Sequence, residues 1–149
     1  MNFYRMGAIA LGVALSAPAE AQDKQMILHK DPNCGCCTAW GDLAEAAGYH
    51  VEIDDNPDLS RVKAALGVPG SMTSCHTAEI DGRLIEGHVP LDLVDELLTE
   101  RPDVAGLAVP GMPAGSPGMG NDPAASYDVL SFGGEAGDGA VYRRMDARP

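Results

Sequence analysis

Three cysteines stand almost side by side in Cys34-Gly35-Cys36-Cys37, a fourth follows at Cys75 beside His76, and Met112 and Met119 lie in a run of glycine and proline. Thiolate and thioether sulfur are soft donors that suit Cu(I). The set therefore points to copper, with zinc as the competing metal, because four Cys and one or two His can also close a tetrahedral zinc site. Zinc would leave the methionines without a role. Cys34 and Cys37 also make a Cys-x-x-Cys pair, which in the right fold favours dithiol redox exchange. Cys36 alters that balance: a third thiol invites disulfide scrambling in a dedicated oxidant, whereas a site for several soft ions gains a bridging ligand. Metal ligation is placed ahead of thiol exchange. Adjacent Cys36 and Cys37 are scarcely able to act as a loop-closing bridge.

The elements that must position these residues follow from apolar periodicity and turn signals. Met26 to His29 reads as a buried strand stopped at Lys30-Asp31-Pro32-Asn33, directly before the cysteines. From Cys37 a stripe of Trp40, Leu43, Ala44 and Ala47 keeps helical spacing up to Gly48, so the thiols sit at a helix N-terminus, where unpaired N–H groups favour thiolate. Val51 to Ile53 is a second strand. Asn56-Pro57 is expected to cap a second helix, with Leu59, Val62, Ala65 and Leu66 on its apolar face. Asp81-Gly82 supplies the positive φ angles of a type I′ turn, joining Thr77–Ile80 to Arg83–Glu86 as a hairpin. Pairing Ile80 with Arg83 then brings Cys75 opposite His88. His88 is the leading imidazole ligand; His76 is a further candidate, set lower because strand alternation points it to the other face. His29 and His50 are read as structural or exposed, and Asp54-Asp55 as a solvated strand end. Pro90 opens a third helix with Leu91, Val94, Leu97 and Leu98 as its stripe.

The order β-α-β-α-β-β-α, with a Cys motif where the first strand meets the first helix, predicts an α/β, thioredoxin-like fold with a mixed central sheet flanked by helices. Residues 104–126 break the pattern, being too rich in Gly and Pro for helix or central strand, and a long loop of this kind carries function or is disordered. Met112 and Met119 in that loop are candidates for a thioether lid over the thiolates. Tyr127–Phe132 and Ala140–Met145 read as a C-terminal β-hairpin. One domain is expected over 22–149, with its core at about 26–120 and an extension over 121–149.

Residues 1–21 look like a secretory signal: Arg5 ahead of an apolar stretch from Met6 to Ala17, then Ala19-Glu20-Ala21 as a small-x-small cleavage pattern. The stretch is too short for a membrane anchor, and no Cys near the cleavage site is placed to take a lipid. A periplasmic protein is expected. Twenty-two acidic against ten basic residues give a net charge of -12, which makes nucleic acid and anionic membranes poor partners.

Several linked stretches resemble one family. Lys30-Asp-Pro-Asn-Cys-Gly-Cys-Cys37 with Trp40, Ser74-Cys-His-Thr-Ala78, Glu86-Gly-His-Val-Pro90, Gly106-Leu-Ala-Val-Pro-Gly-Met-Pro113 and Gly115-Ser-Pro-Gly-Met119 are similar, in that order, to the CopG-like periplasmic copper-resistance proteins, grouped as domain of unknown function 411. The resemblance implies a thioredoxin-like fold adapted to hold several copper ions, with Cys34, Cys36, Cys37, Cys75, His88, Met112 and Met119 as ligands. It implies copper tolerance outside the cytoplasm and suggests a copper redox activity for the family. A site mixing thiolate and imidazole also tolerates Cu(II) transiently, which would let the protein interconvert Cu(I) and Cu(II) for export or oxidase proteins. The readings that stay open beside it are a thiol-disulfide oxidoreductase acting on protein substrates and a copper carrier without redox turnover.

Overall fold

The computed structural model describes residues 24–147; the leader expected over 1–21 lies outside the described residues. The chain runs β1 (Gln25–Lys30), α1 (Gly35–Ala46), β2 (His50–Asp55), α2 (Leu59–Leu66), β3 (His76–Ile80), β4 (Arg83–Glu86), α3 (Leu91–Glu100), β5 (Gly106–Ala108), β6 (Tyr127–Phe132) and β7 (Ala140–Met145). A 3-10 turn at Gly70–Met72 precedes β3. All seven strands form one mixed sheet in the order β2-β1-β3-β4-β5-β6-β7, parallel at β1/β2 and β4/β5 and antiparallel elsewhere.

Alternation along the strands divides the core in two. Met26, Leu28, Ala78, Ile80, Ile85, Leu107 and Val129 face one side, where Trp40 and Ala44 of α1 and Leu93, Val94, Leu97 and Leu98 of α3 pack against them. The next residues along β4, β5 and β6, namely Leu84, Ala108 and Leu130, join Val68, Met72 and Phe132 on the opposite side. Two side chains hold the C-terminal hairpin to α3 through Glu96: Arg143 Nη2 donates to both of its carboxylate oxygens, at 2.8 and 2.9 Å, and the Tyr142 hydroxyl donates to Oε1 at 2.9 Å.

Four local expectations are corrected. The buried face of α1 is Cys37, Trp40, Gly41 and Ala44, and Leu43 is left 44% exposed. Gly41, which lies against Leu28 of the sheet, takes the buried place expected of Leu43. Helix α2 is capped by Asp58, whose carboxylate accepts from the Arg61 N–H at 3.3 Å, while Asn56 closes a turn onto the Asp58 N–H at 2.9 Å. Three residues of the Gly/Pro segment, Gly106–Ala108, make a central strand. Gly106 lies tight against the Leu84 backbone and the Phe132 ring, so the missing side chain is what lets β5 enter the sheet. Asp54 and Asp55 are engaged rather than merely solvated, receiving His29 at 2.7 Å and Lys30 at 2.9 Å.

Candidate metal centre

Strand β1 ends at Lys30, and the chain turns through Asp31 so that Cys34 takes the N-cap position of α1. Cys36 and Cys37 follow in the first turn of that helix. The Asp81-Gly82 turn has φ values of 47° and 72°, and the hairpin keeps the predicted register, Ile80 with Arg83 and Ala78 with Ile85. Beyond its last pair the Gly87 N–H donates to the His76 carbonyl at 2.9 Å. The next step outward sets Cys75 Sγ at 2.9 Å from His88 Nε2.

Two groups of ligand atoms result, each with all its members within 4.8 Å of one another: the sulfurs of Cys34, Cys36, Cys37 and Cys75, and the trio Cys75, His76 and His88. Cys75 belongs to both. Cys34 and Cys37 are joined by a disulfide, which leaves Cys36 and Cys75 as free thiols. Cys36 Sγ lies 3.5 Å from Cys34 Sγ. Two electrons and two protons delivered to that disulfide would make all four sulfurs available.

His76 is nearer the site than strand alternation implied. Cys75 precedes β3, so the alternation that separates neighbours within a strand does not bind this pair. His76 Nδ1 sits 3.6 Å from Cys75 Sγ, and its ring stands 4.8 Å from Trp40 and 4.9 Å, edge-on, from His88. Its Nε2 is buried without a hydrogen-bond partner. A buried ring nitrogen without a partner costs free energy, so this imidazole is not placed for stability alone.

The Gly/Pro loop docks on this centre. His88 Nδ1 donates to the Pro117 carbonyl at 2.7 Å. A carbonyl only accepts, so the ring proton is on Nδ1 and the Nε2 lone pair faces Cys75. Metal-ligating histidines are commonly fixed by this same device, the second ring N–H spent on a backbone carbonyl. Gly118 has φ +84°, and a side chain there would lie 2.9 Å from the Cys36 carbonyl and 3.3 Å from His88 Nδ1. Glycine lets the loop close on the helix end, and Met119 follows at once, half-buried. At the loop's other end Gly111 bridges to Ser74; Met112 beside it is 56% exposed. Each methionine thus follows a glycine that meets the centre's backbone, Gly118 at Cys36 and Gly111 at Ser74.

Burial sets the protonation states. The Cys75 thiol is pushed up to about 11, first by burial and then by the neighbouring Cys36 thiol. Burial lowers His88 and outweighs the opposing bond to Pro117. His76 is held well below its ordinary value by burial, then by His88 and Lys63. Near neutral pH the centre therefore presents a protonated Cys75 against neutral imidazoles.

Two residues behind the centre were not anticipated. Lys63, the buried residue of α2, meets Glu86 at 2.6 Å. The sequence offered a faint sign, since Lys63 falls at helical spacing between Leu59 and Leu66.

Comparisons with known proteins place the chain in a family. The family described as "Protein of unknown function, DUF411" matches residues 72–119, the stretch holding Cys75, His88 and both methionines. Two solved structures titled "Copper resistance protein copG", form 1 and form 2, match at 44% identity with TM-scores of 0.75 and 0.74. They cover 82% and 81% of this chain and 97% of each matched chain. The chain belongs to the CopG family. No curated protein matches it. The likeness covers 81% of this chain at a TM-score of 0.74 and agrees with the α/β architecture. Among the described residues no helix is long and apolar enough to cross a membrane.

Proposed function

We propose that this CopG-family protein binds copper in the periplasm as part of copper resistance. In this reading clustered thiolates hold Cu(I), His88 and the two methionines complete the coordination, and His76 is a further ligand through Nδ1. The observation that carries the reading is the convergence of four cysteine sulfurs within 4.8 Å beside an imidazole whose free nitrogen already points at one of them. Sulfur donors in this number favour a soft monovalent ion, and thiolates shared between ions would reduce their mutual repulsion. The element order around the mixed sheet supports the thioredoxin-like reading of the fold. The leader over 1–21 supports export, and tagging the precursor then fractionating cells tests it.

The sulfur and imidazole mixture also supports a redox role, in which the protein interconverts Cu(I) and Cu(II) for export or oxidase partners. A carrier without turnover would use the same ligands. The Cys34–Cys37 disulfide favours the other reading, a thiol-disulfide oxidoreductase acting on proteins. Against it stands the backbone beside Cys75. A protein substrate docking by strand addition needs an open edge, and here Thr73 and Ser74 are met by Gly111 of the chain itself.

Elemental analysis separates copper binding from the oxidoreductase: mature protein is reduced, loaded anaerobically with Cu(I), desalted, and counted for metal and free thiols. More than one retained copper with all four thiols masked is the expected result. No retained copper, with disulfide-reducing turnover instead, would replace the copper reading with the oxidoreductase.

A further inference from the structure

Behind the ligands lies a closed polar triangle in an otherwise apolar layer. Glu86 and Thr77 are fully buried and Lys63 is 5% exposed. Lys63 Nζ donates to Glu86 Oε1 at 2.6 Å and to Thr77 Oγ1 at 2.9 Å, and Thr77 Oγ1 donates to Glu86 Oε2 at 2.5 Å. One bond leaves the triangle. Glu86 Oε1 also accepts the backbone N–H of Ser74 at 2.6 Å.

That bond falls where the hairpin stops holding itself. The β3–β4 pairing ends at Thr77 with Glu86, and Gly87 then turns the chain with φ +70°. Cys75 and His88 therefore lie past the last regular rung. Glu86 stands two residues before His88 and grips the residue before Cys75, so one carboxylate references both ligands to the same rigid point. A buried ion pair is a poor way to gain stability, because removing two charges from water offsets most of their attraction. A set of apolar side chains would fill the same space but leave the Ser74 N–H without its acceptor.

We propose that Glu86, held by Lys63 and Thr77, is a positioning residue that sets the Cys75–His88 pair through the Ser74 N–H. The proposal rests on the copper-binding reading for its purpose, but its geometry is testable without metal.

Two variants divide position from stability. Lys63→Met with Thr77→Val and Glu86→Leu removes the triangle and every acceptor for Ser74. Lys63→Met with Glu86→Gln removes both charges but keeps an amide oxygen at Oε1. In metal-free protein with the Cys34–Cys37 disulfide intact and Cys36→Ser as background, Cys75 is the free thiol, and its alkylation rate reports how firmly it is held. The triple variant is expected to react about tenfold faster, as access to the thiol opens. The amide variant should stay near the background rate. In chains that retain Cys36, Cu(I) affinity should fall about 10- to 100-fold in the triple variant, as for other residues that orient ligands, and recover in the amide variant.

A folded triple variant with the background alkylation rate would overturn the proposal. Should the triple variant not fold, hydrogen exchange at Ser74 in the unaltered protein decides: strong protection upholds the anchoring bond, and exchange like that of an exposed turn refutes it. Failure of the unaltered protein to bind copper would remove the copper reading while leaving both metal-free comparisons valid.

Discussion

Cys75 is the residue on which the centre turns, because it is a member of both ligand groups and carries its proton near neutral pH. In the proposed copper site the ion has to displace that proton. Affinity should therefore rise with pH throughout the range below about 11, with a proton released on binding. Calorimetry in two buffers of different ionisation enthalpy measures the release, and binding without it would exclude Cys75 as a ligand. Gly118 carries a second prediction. Alanine there would be forced against Cys36 and His88 at φ +84°, costing roughly 1–2 kcal/mol for the left-handed backbone. The same change would pull Pro117 from His88, so denaturant titration and Cu(I) competition should both report a loss.

At the scale of elements, α1 and the Gly/Pro loop act together as two walls of the site. Trp40 is the sole tryptophan of the sequence; it is fully buried and donates to the Val89 carbonyl at 2.9 Å. Its contact with His76 makes its fluorescence a reporter of the centre, and Cu(I) titration should quench it. Trp40→Ala should cost about 3–5 kcal/mol, as for other large aromatic truncations in a core. The loop is tested differently. Met112→Leu with Met119→Leu nearly conserves volume, so stability should change by less than about 1.5 kcal/mol while Cu(I) affinity falls. Unaltered affinity in that double variant would make the methionines structural.

For the whole molecule, acid should loosen the fold from within the centre. His76 and His88 have folded-state values below the ordinary 6.5, so the unfolded chain binds protons more readily than the folded one once pH drops through that value. Their contribution to stability is present above about 6.5 and is lost as pH falls further, through the folded values. Thermal melts of metal-free protein between neutral and mildly acidic pH should show this fall. Replacing His76 by Leu should flatten the part of the slope that belongs to that side chain.

How much of this was legible differs by feature, for physical reasons. Local chemistry was enough to place the cysteines at a helix N-terminus, and Asp81-Gly82 was enough to set the register that brings Cys75 to His88, since both depend on neighbours in sequence. The side of α1 that is buried, the nearness of His76 and the central placing of Gly106–Ala108 depend on what packs from elsewhere, and periodicity does not carry that information. The Lys63–Glu86 pair shows the difference most clearly: each residue alone reads as a surface charge, and burial becomes tolerable when the fold brings them to 2.6 Å. Sequence by itself determined which donor atoms the chain owns and the order of its elements as far as α3. Tertiary structure alone decided which donors join the Cys75–His88 pair, which ring nitrogen is free, and which buried charge holds them, because those are distances between residues far apart in the chain.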